Sequence, residues 1–111
     1  MAKEDTGIKL ANYITLHAKP GKESQLAEFL AGGAGAVAKT EPQTKAWFAV
    51  RINTNTFAII DCFADQAGQD AHVSGQVAAA LKSRADDLIE GGWDGGVLKN
   101  FQVFQVLSAA T

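Results

Sequence analysis

The chain has 111 residues, enough for one domain with a buried core, and its charge balance argues against several classes of function. Ten Lys and Arg residues stand against twelve Asp and Glu residues, and no local run of basic residues suggests a groove for nucleic acid. A single cysteine rules out an intrachain disulfide, and no apolar run approaches the roughly 18 residues of a membrane span. Because the N-terminus is polar and unlike a signal peptide, we expect a cytoplasmic protein without a membrane partner.

The N-terminal part predicts a flexible tail over residues 1–7, then a strand and a helix. Residues 8–18 alternate between two faces as a strand does, and Asn12 shares its face with apolar side chains. A buried amide needs a hydrogen-bond partner, so Asn12 is either a ligand contact on a pocket floor or a satisfied structural amide. After a Pro-Gly turn, apolar residues at three- and four-residue spacing predict one helix that ends before Pro42. That helix contains three glycines, which indicate either a close backbone approach beside a cavity or close helix packing: Gly32, Gly33 and Gly35.

The next two strands, residues 46–52 and 56–64, form a hairpin whose faces are both largely apolar. A sheet with one face in water would alternate more cleanly between apolar and polar residues. Helices can cover only one face, so we expect a second copy of the chain on the other, giving a homodimer. Asp61 lies on an apolar face of the second strand, where we expect it to form a structural ion pair with Arg51.

The C-terminal half predicts two helices, a loop and a last strand. Asp65 is a suitable N-cap for a short helix that carries His72, and a longer helix runs on to about residue 90. Glycines on both sides of Trp93 predict a flexible loop that could act as a lid, and residues 98–107 predict a strand. The order β-α-β-β-α-α-β with right-handed crossovers predicts one α+β, ferredoxin-like domain over residues 8–111, with an antiparallel sheet and the helices on one side.

Four short segments in this order resemble the antibiotic biosynthesis monooxygenase family of the dimeric α+β barrel superfamily, over residues 10–108. They are Lys19-Pro20-Gly21-Lys22-Glu23, Thr40-Glu41-Pro42, the strand-to-helix passage from Ile59 to Asp65, and Ala71-His72-Val73. Phe63 stands where the family commonly has Trp, and Ser74–Val77 replaces a second helical histidine or aromatic residue.

The resemblance implies a dimeric α+β barrel with a pocket between the helices and the sheet of each subunit. There a small aromatic or quinone-like molecule would be oxidised by O₂ without a bound cofactor. His72 is the candidate base because an unperturbed imidazole titrates near pH 6.5, and Asn12 is the second candidate catalytic residue. The alternative for His72 is a structural hydrogen bond. Three aromatic residues are candidate ligand contacts: Trp47, Phe63 and Trp93. Both tryptophans could equally be interface anchors.

Two other functions remain open at this point. The departures from the family pattern favour a non-catalytic domain that binds a small ligand with the same fold. A haem-binding or haem-degrading relative is a minority alternative, because the helix carrying His72 lacks the further histidine of that branch. Two histidines 55 positions apart, without CxxC or HxxxH, do not predict a metal site.

Overall fold

The computed structural model describes residues 6–110, which form four strands, four α-helices and two short turns of other helix types. The elements are β1 (Leu10–His17), α1 (Glu23–Ala31), α2 (Gly33–Thr40), β2 (Thr44–Asn53), β3 (Thr56–Phe63), α3 (Gln66–Val73), α4 (Gln76–Leu88), a π-helical turn (Gly92–Val97), a 3₁₀ turn (Leu98–Asn100) and β4 (Phe101–Gln105). The tail predicted for residues 1–7 falls largely outside the described residues. None of the helices within residues 6–110 is both long and apolar enough to cross a membrane.

The four strands form one antiparallel sheet in the order β2-β3-β1-β4. β1 lies between β3 and β4, so the two helical crossovers place the helices on one side of the sheet. This arrangement confirms the predicted α+β, ferredoxin-like fold.

The core lies between the helices and the inner face of the sheet. Sheet side chains such as Leu16 and Phe57 are buried against Leu26 of α1 and Leu88 of α4. Burying a side chain of this size stabilises the fold by roughly 1.5–3 kcal/mol. Within residues 6–110 no helix packs on the outer face of the sheet, and large apolar side chains on this face are exposed: Phe48, Val50, Ile52 and Phe104.

The predicted single helix before Pro42 is wrong, because the segment is two helices separated at Gly32. Glycine destabilises a helix by roughly 1 kcal/mol relative to alanine, and three glycines fall within four positions here. The predicted strand over residues 98–107 is too long at both ends, because β4 spans Phe101–Gln105. Leu98–Asn100 instead form a 3₁₀ turn, in which the Asn100 side chain donates a hydrogen bond to the Gly96 carbonyl at 2.9 Å.

The segment around Trp93, expected to be a flexible loop, is the π-helical turn. The backbone N–H of Trp93 donates to Asp86 Oδ1 at 3.0 Å. A Cβ atom on Gly96 would lie 2.2 Å from the Glu90 carbonyl oxygen, so the turn is packed tightly against the end of α4. Gly96 therefore allows a close approach of two backbone segments.

Candidate functional site

A cavity of about 530 Å³ lies between the inner face of the sheet and helices α1, α2 and α4. Its wall is almost entirely apolar. Ile14 and Ile59 contribute from the sheet, and Leu81 contributes from α4. Two tryptophans complete the wall, Trp47 from β2 and Trp93 from the π-helical turn. This volume and lining are typical of sites for small organic ligands, which occupy roughly 300–1,000 Å³.

The position of Trp47 explains one of the three helix glycines. A Cβ atom on Gly33 would lie 2.3 Å from Cη2 of the Trp47 ring, far inside van der Waals contact. The first turn of α2 therefore rests directly on the indole. Gly35, in the same helix, has nothing within 4 Å of the equivalent position. Contact with the cavity wall therefore requires glycine at position 33 and not at position 35.

One end of the cavity is polar, because Asp61 and His72 are part of its wall. Asp61 lies near the end of β3. Asp65 caps α3 by accepting a hydrogen bond from the Gly68 N–H at 2.9 Å, and this helix brings His72 back over the sheet. His72 Nε2 lies 2.9 Å from Asp61 Oδ2, and His72 Nδ1 lies 2.5 Å from Oε1 of Glu41, the residue that follows α2. All three side chains are buried, and we refer to them as the Glu41–His72–Asp61 cluster.

The cluster holds His72 in its charged form. Burial alone lowers the pKa of His72, but the hydrogen bonds and negative charges of Asp61 and Glu41 outweigh it and raise the pKa to about 9. At neutral pH both ring nitrogens of His72 therefore carry a proton, and each lies beside one of the two carboxyl groups. The pKa of His72 in the fold therefore lies above the value near 6.5 of an unperturbed imidazole.

The predicted ion pair between Asp61 and Arg51 is also wrong. Arg51 lies opposite Phe57 in the β2–β3 register, close to the hairpin turn and well along the sheet from Asp61. Its guanidinium stacks over the Phe57 ring at 5.0 Å and donates a hydrogen bond to the Thr54 carbonyl. The residue opposite Asp61 on β2 is Trp47.

Asn12 belongs to a chain of side-chain amides beside the cluster. Gln66 Nε2 donates to Asp70 Oδ1 at 2.9 Å and to Gln69 Oε1 at 2.6 Å, and Gln69 Nε2 donates to Asn12 Oδ1 at 2.7 Å. Because an ionised carboxylate only accepts hydrogen bonds, Asp70 must face the NH₂ group of Gln66. The hydrogen bonds that follow then fix the orientation of the side-chain amides of Gln69 and Asn12. The Asn12 Nδ2 group is left buried with no hydrogen-bond partner among residues 6–110.

The structure brings three of the five candidate site residues to the cavity wall: His72, Trp47 and Trp93. Asn12 and Phe63 are fully buried and do not line the cavity. The Phe63 ring packs against the His72 ring, with the centroids 5.4 Å apart, so this aromatic residue positions the imidazole. No position-specific signal in the sequence pointed to Glu41 as a partner of a histidine 31 residues further on.

The described part of the chain contains no group of three or more His, Cys, Asp or Glu side chains that could hold a metal ion. Haem does not fit His72 either. An axial iron ligand is a neutral imidazole with a free lone pair, whereas the two ring nitrogens of His72 lie 2.5 Å and 2.9 Å from the buried carboxyl groups of Glu41 and Asp61.

No protein-family profile and no curated protein matches the chain. Among solved structures, a protein of unknown function from Nitrosomonas europaea is 41% identical over 94% of both chains, with a TM-score of 0.82. A protein from Chloroflexus aurantiacus, described as a candidate antibiotic biosynthesis monooxygenase, is 13% identical over 93% of this chain and 97% of its own, with a TM-score of 0.69. A protein from Deinococcus radiodurans with the same description is 15% identical over 92% and 96%, with a TM-score of 0.67.

These similarities differ in what they establish. The two more distant proteins share the fold with this chain, at identities too low to carry over an activity. The identity to the Nitrosomonas europaea protein is high and extends over nearly the whole of both chains. The chain therefore belongs to the same protein family as that protein of unknown function, and it has the fold of the candidate antibiotic biosynthesis monooxygenases.

Proposed function

We propose that the protein is a monooxygenase that binds a small aromatic or quinol-like molecule in the cavity and uses O₂ without a bound cofactor. One observation carries the proposal: an apolar cavity of about 530 Å³ with two tryptophans in its wall and a buried carboxylate–imidazolium cluster at its polar end. The fold shared with candidate antibiotic biosynthesis monooxygenases supports the same chemistry.

The reaction needs an electron-rich substrate anion, which can react with O₂ by itself. Loss of a proton from an activated CH₂ group gives a carbanion, and its attack on O₂ forms a C–O bond. Protonation yields a hydroperoxide, which loses water to leave a carbonyl group. One oxygen atom of O₂ ends in the product and the other in water, so the substrate supplies all four electrons. The protein has to exclude bulk water, hold the substrate and accept the first proton.

The cluster supplies the proton acceptor. With a pKa of about 9, His72 is neutral in about one molecule in a hundred at pH 7. That neutral form is a stronger base than an ordinary histidine and is better matched to phenolic groups, which titrate near pH 10. Transfer of the substrate proton to His72 creates an imidazolium, which Asp61 and Glu41 stabilise. Of these two carboxylates, Asp61 is the one in the cavity wall.

A second candidate function is ligand binding without catalysis. The observation that favours it is the same engagement of His72, because both ring nitrogens face carboxylates and neither has a lone pair free at neutral pH. The cavity would then serve as a small-molecule receptor site with an unreactive polar end.

Oxygen uptake separates the two functions. The purified protein is incubated with a panel of quinols, phenols and anthrone-type compounds, and binding is followed by calorimetry while O₂ is followed with an electrode. Catalysis gives protein-dependent uptake that is lost in His72→Gln and kept in His17→Gln, a replacement of an exposed histidine outside the cavity. Tight binding without uptake by any compound would contradict the monooxygenase and favour the receptor.

We also propose that the outer face of the sheet is covered by a second copy of the chain. Phe48, Val50 and Ile52 project from β2 on this face, and Phe48 and Ile52 keep more than half of their surface exposed in the single chain, at 53% and 54%. A contiguous apolar surface of this kind is typical of subunit interfaces. The proposed assembly is a homodimer with one cavity in each subunit.

A further inference from the structure

The two carboxyl groups that contact His72 stand differently to the cavity. Asp61 and His72 are part of the cavity wall, whereas Glu41 is not. His72 Nε2 lies 2.9 Å from Asp61 Oδ2, and His72 Nδ1 lies 2.5 Å from Glu41 Oε1. The imidazole therefore points Nε2 at the carboxyl group in the wall and Nδ1 at the carboxyl group outside it.

The turn that joins α2 to β2 holds the backbone of Glu41 in place. The backbone N–H of Thr44 donates to the Glu41 carbonyl at 3.1 Å, and Pro42, between them, restricts the backbone further. The same turn is packed closely against α3, because a Cβ atom on Gly68 would lie 3.1 Å from the carbonyl oxygen of Gln43. The residue before the turn is thereby fixed relative to α3.

The side chain of Thr44 holds the carboxyl group of Glu41. Its hydroxyl donates to Glu41 Oε1 at 2.9 Å, and this is the oxygen that lies beside His72 Nδ1. The other oxygen, Oε2, is buried and has no hydrogen-bond partner among residues 6–110. Because both contacts converge on Oε1, the hydroxyl favours the orientation of Glu41 that meets the imidazole.

The loss of a proton from His72 has different consequences at its two nitrogens. If Nδ1 lost its proton, the hydroxyl of Thr44 would be the remaining donor to Glu41, which the cavity does not reach. If Nε2 lost its proton, Asp61 could accept a hydrogen bond from a molecule in the cavity instead. Because an unpaired buried acceptor is unfavourable, Nδ1 keeps its proton and Nε2 gives its proton up.

We propose that Thr44 is a positioning residue whose hydroxyl fixes Glu41 as the acceptor of the Nδ1 proton, so that Nε2 is the atom of His72 that exchanges a proton with a molecule in the cavity. Thr44 does not line the cavity, so it acts through Glu41 and does not touch the ligand.

This assignment deepens the proposed function by naming the atom that takes the substrate proton. In that step a bond between the substrate and hydrogen breaks, its electron pair stays on the substrate anion, and an Nε2–H bond forms. The ring of His72 then carries a proton on both nitrogens, as it does in the resting protein at neutral pH. The orientation by Thr44 is a property of the protein without substrate, so it is measurable apart from the reaction.

NMR of the ¹⁵N-labelled full chain tests the assignment in the parent protein, without any substitution in the cluster. Long-range ¹H–¹⁵N correlation spectra distinguish protonated from unprotonated ring nitrogens, and His17→Gln assigns the signals because the chain has two histidines. As the pH rises through about 9, we expect Nε2 of His72 to lose its proton while Nδ1 keeps its own. An unprotonated Nδ1, or an equal mixture of the two neutral forms, would overturn the assignment.

Replacing Thr44 shows whether the hydroxyl is responsible. Thr44→Val removes the hydroxyl at nearly constant volume and should give a mixture of the two neutral forms of His72. It should also lower kcat for oxygen uptake about tenfold at unchanged KM, as is typical of a lost hydrogen bond to a charged group. Thr44→Ser, which keeps the hydroxyl, should restore the behaviour of the parent protein.

The matched control is Thr40→Val, the same change at an exposed threonine whose hydroxyl donates to the Ala36 carbonyl within α2, and it should leave the neutral form of His72 unchanged. A folded Thr44→Val protein with the same neutral form as the parent protein would refute the role of the hydroxyl.

The NMR experiment and the oxygen electrode can fail independently. A neutral His72 with its proton on Nδ1, without oxygen uptake from any compound, would leave the role of Thr44 standing and remove the monooxygenase. Oxygen uptake that depends on His72, together with a mixture of neutral forms in the parent protein, would do the reverse.

Discussion

Replacing His72 by Gln should remove a pH dependence from the stability of the protein. In the folded chain, Asp61 and Glu41 raise the pKa of His72 to about 9, whereas a histidine in the unfolded chain titrates near 6.5. The folded state therefore binds the proton more tightly than the unfolded state does. This stabilisation is fully present below about pH 6.5, declines as the pH rises and is lost above about pH 9.

The size of the effect follows from the two pKa values. Each pKa unit corresponds to about 1.4 kcal/mol, so the difference between about 6.5 and about 9 gives at most roughly 3 kcal/mol. His72→Gln also leaves two buried carboxylates without a countercharge, which costs roughly 3–5 kcal/mol at neutral pH. The variant should therefore be much less stable than the parent protein at low pH, and this difference in stability should become smaller as the pH rises.

Urea unfolding at several pH values between about 6 and 9.5 measures the free energies of unfolding of the parent protein and of His72→Gln. As the pH rises between these limits, the free energy of unfolding of the parent protein should fall by about 2–3 kcal/mol more than that of His72→Gln. His17→Gln, which replaces an exposed histidine, is the matched control and should follow the parent. Parallel curves for the parent and His72→Gln, or an NMR titration of the His72 ring with a midpoint near 6.5, would refute the account of the cluster.

Three further predictions address the cavity, the interface and the reaction. Gly33→Ala should destabilise the protein by roughly 1–3 kcal/mol in urea unfolding and weaken ligand binding, because the new methyl group displaces Trp47. Gly35→Ala in the same helix should stabilise it by roughly 0.5–1 kcal/mol, and equal effects of the two changes would contradict the packing argument. Phe48→Lys should shift the protein from dimer to monomer in sedimentation experiments, while a parent protein that is monomeric at micromolar concentration would refute the interface. The rate of oxygen uptake should rise about tenfold per pH unit and level off near pH 9, whereas a plateau already reached at pH 7 would exclude the buried imidazole as the base.

The fold was predictable because it depends on local patterns. Alternating residues in β1 and the hairpin identified the strands and their inner faces, and the position of Asp65 identified the start of α3. The order of strands and helices along the sequence is compatible with few sheet topologies, and the observed ferredoxin-like sheet is the expected one. The break at Gly32 was not predicted, because the apolar spacing continues through it and only the three glycines opposed a continuous helix.

The site was predictable only in part, because its chemistry depends on contacts between distant segments. Glu41, the partner of His72 that follows α2, is 31 residues away in the sequence, and no periodicity connects the two. Asp61 was recognised as a carboxylate on an apolar face, but the choice of partner depended on how far Arg51 lies along the hairpin. The pKa of His72 follows from both carboxylates together, so it could not be derived before the fold placed them.

The central claim, that the cavity is the place where an aromatic hydroxyl compound reacts with O₂, is tested most directly by isotopically labelled oxygen. The parent protein is incubated with ¹⁸O₂ and an anthrone-type phenol, and the product is analysed by mass spectrometry. We predict one labelled oxygen atom per product molecule, formed only in the presence of the protein and not formed by His72→Gln. Unlabelled product, or labelled product formed at the same rate without the protein, would contradict the claim.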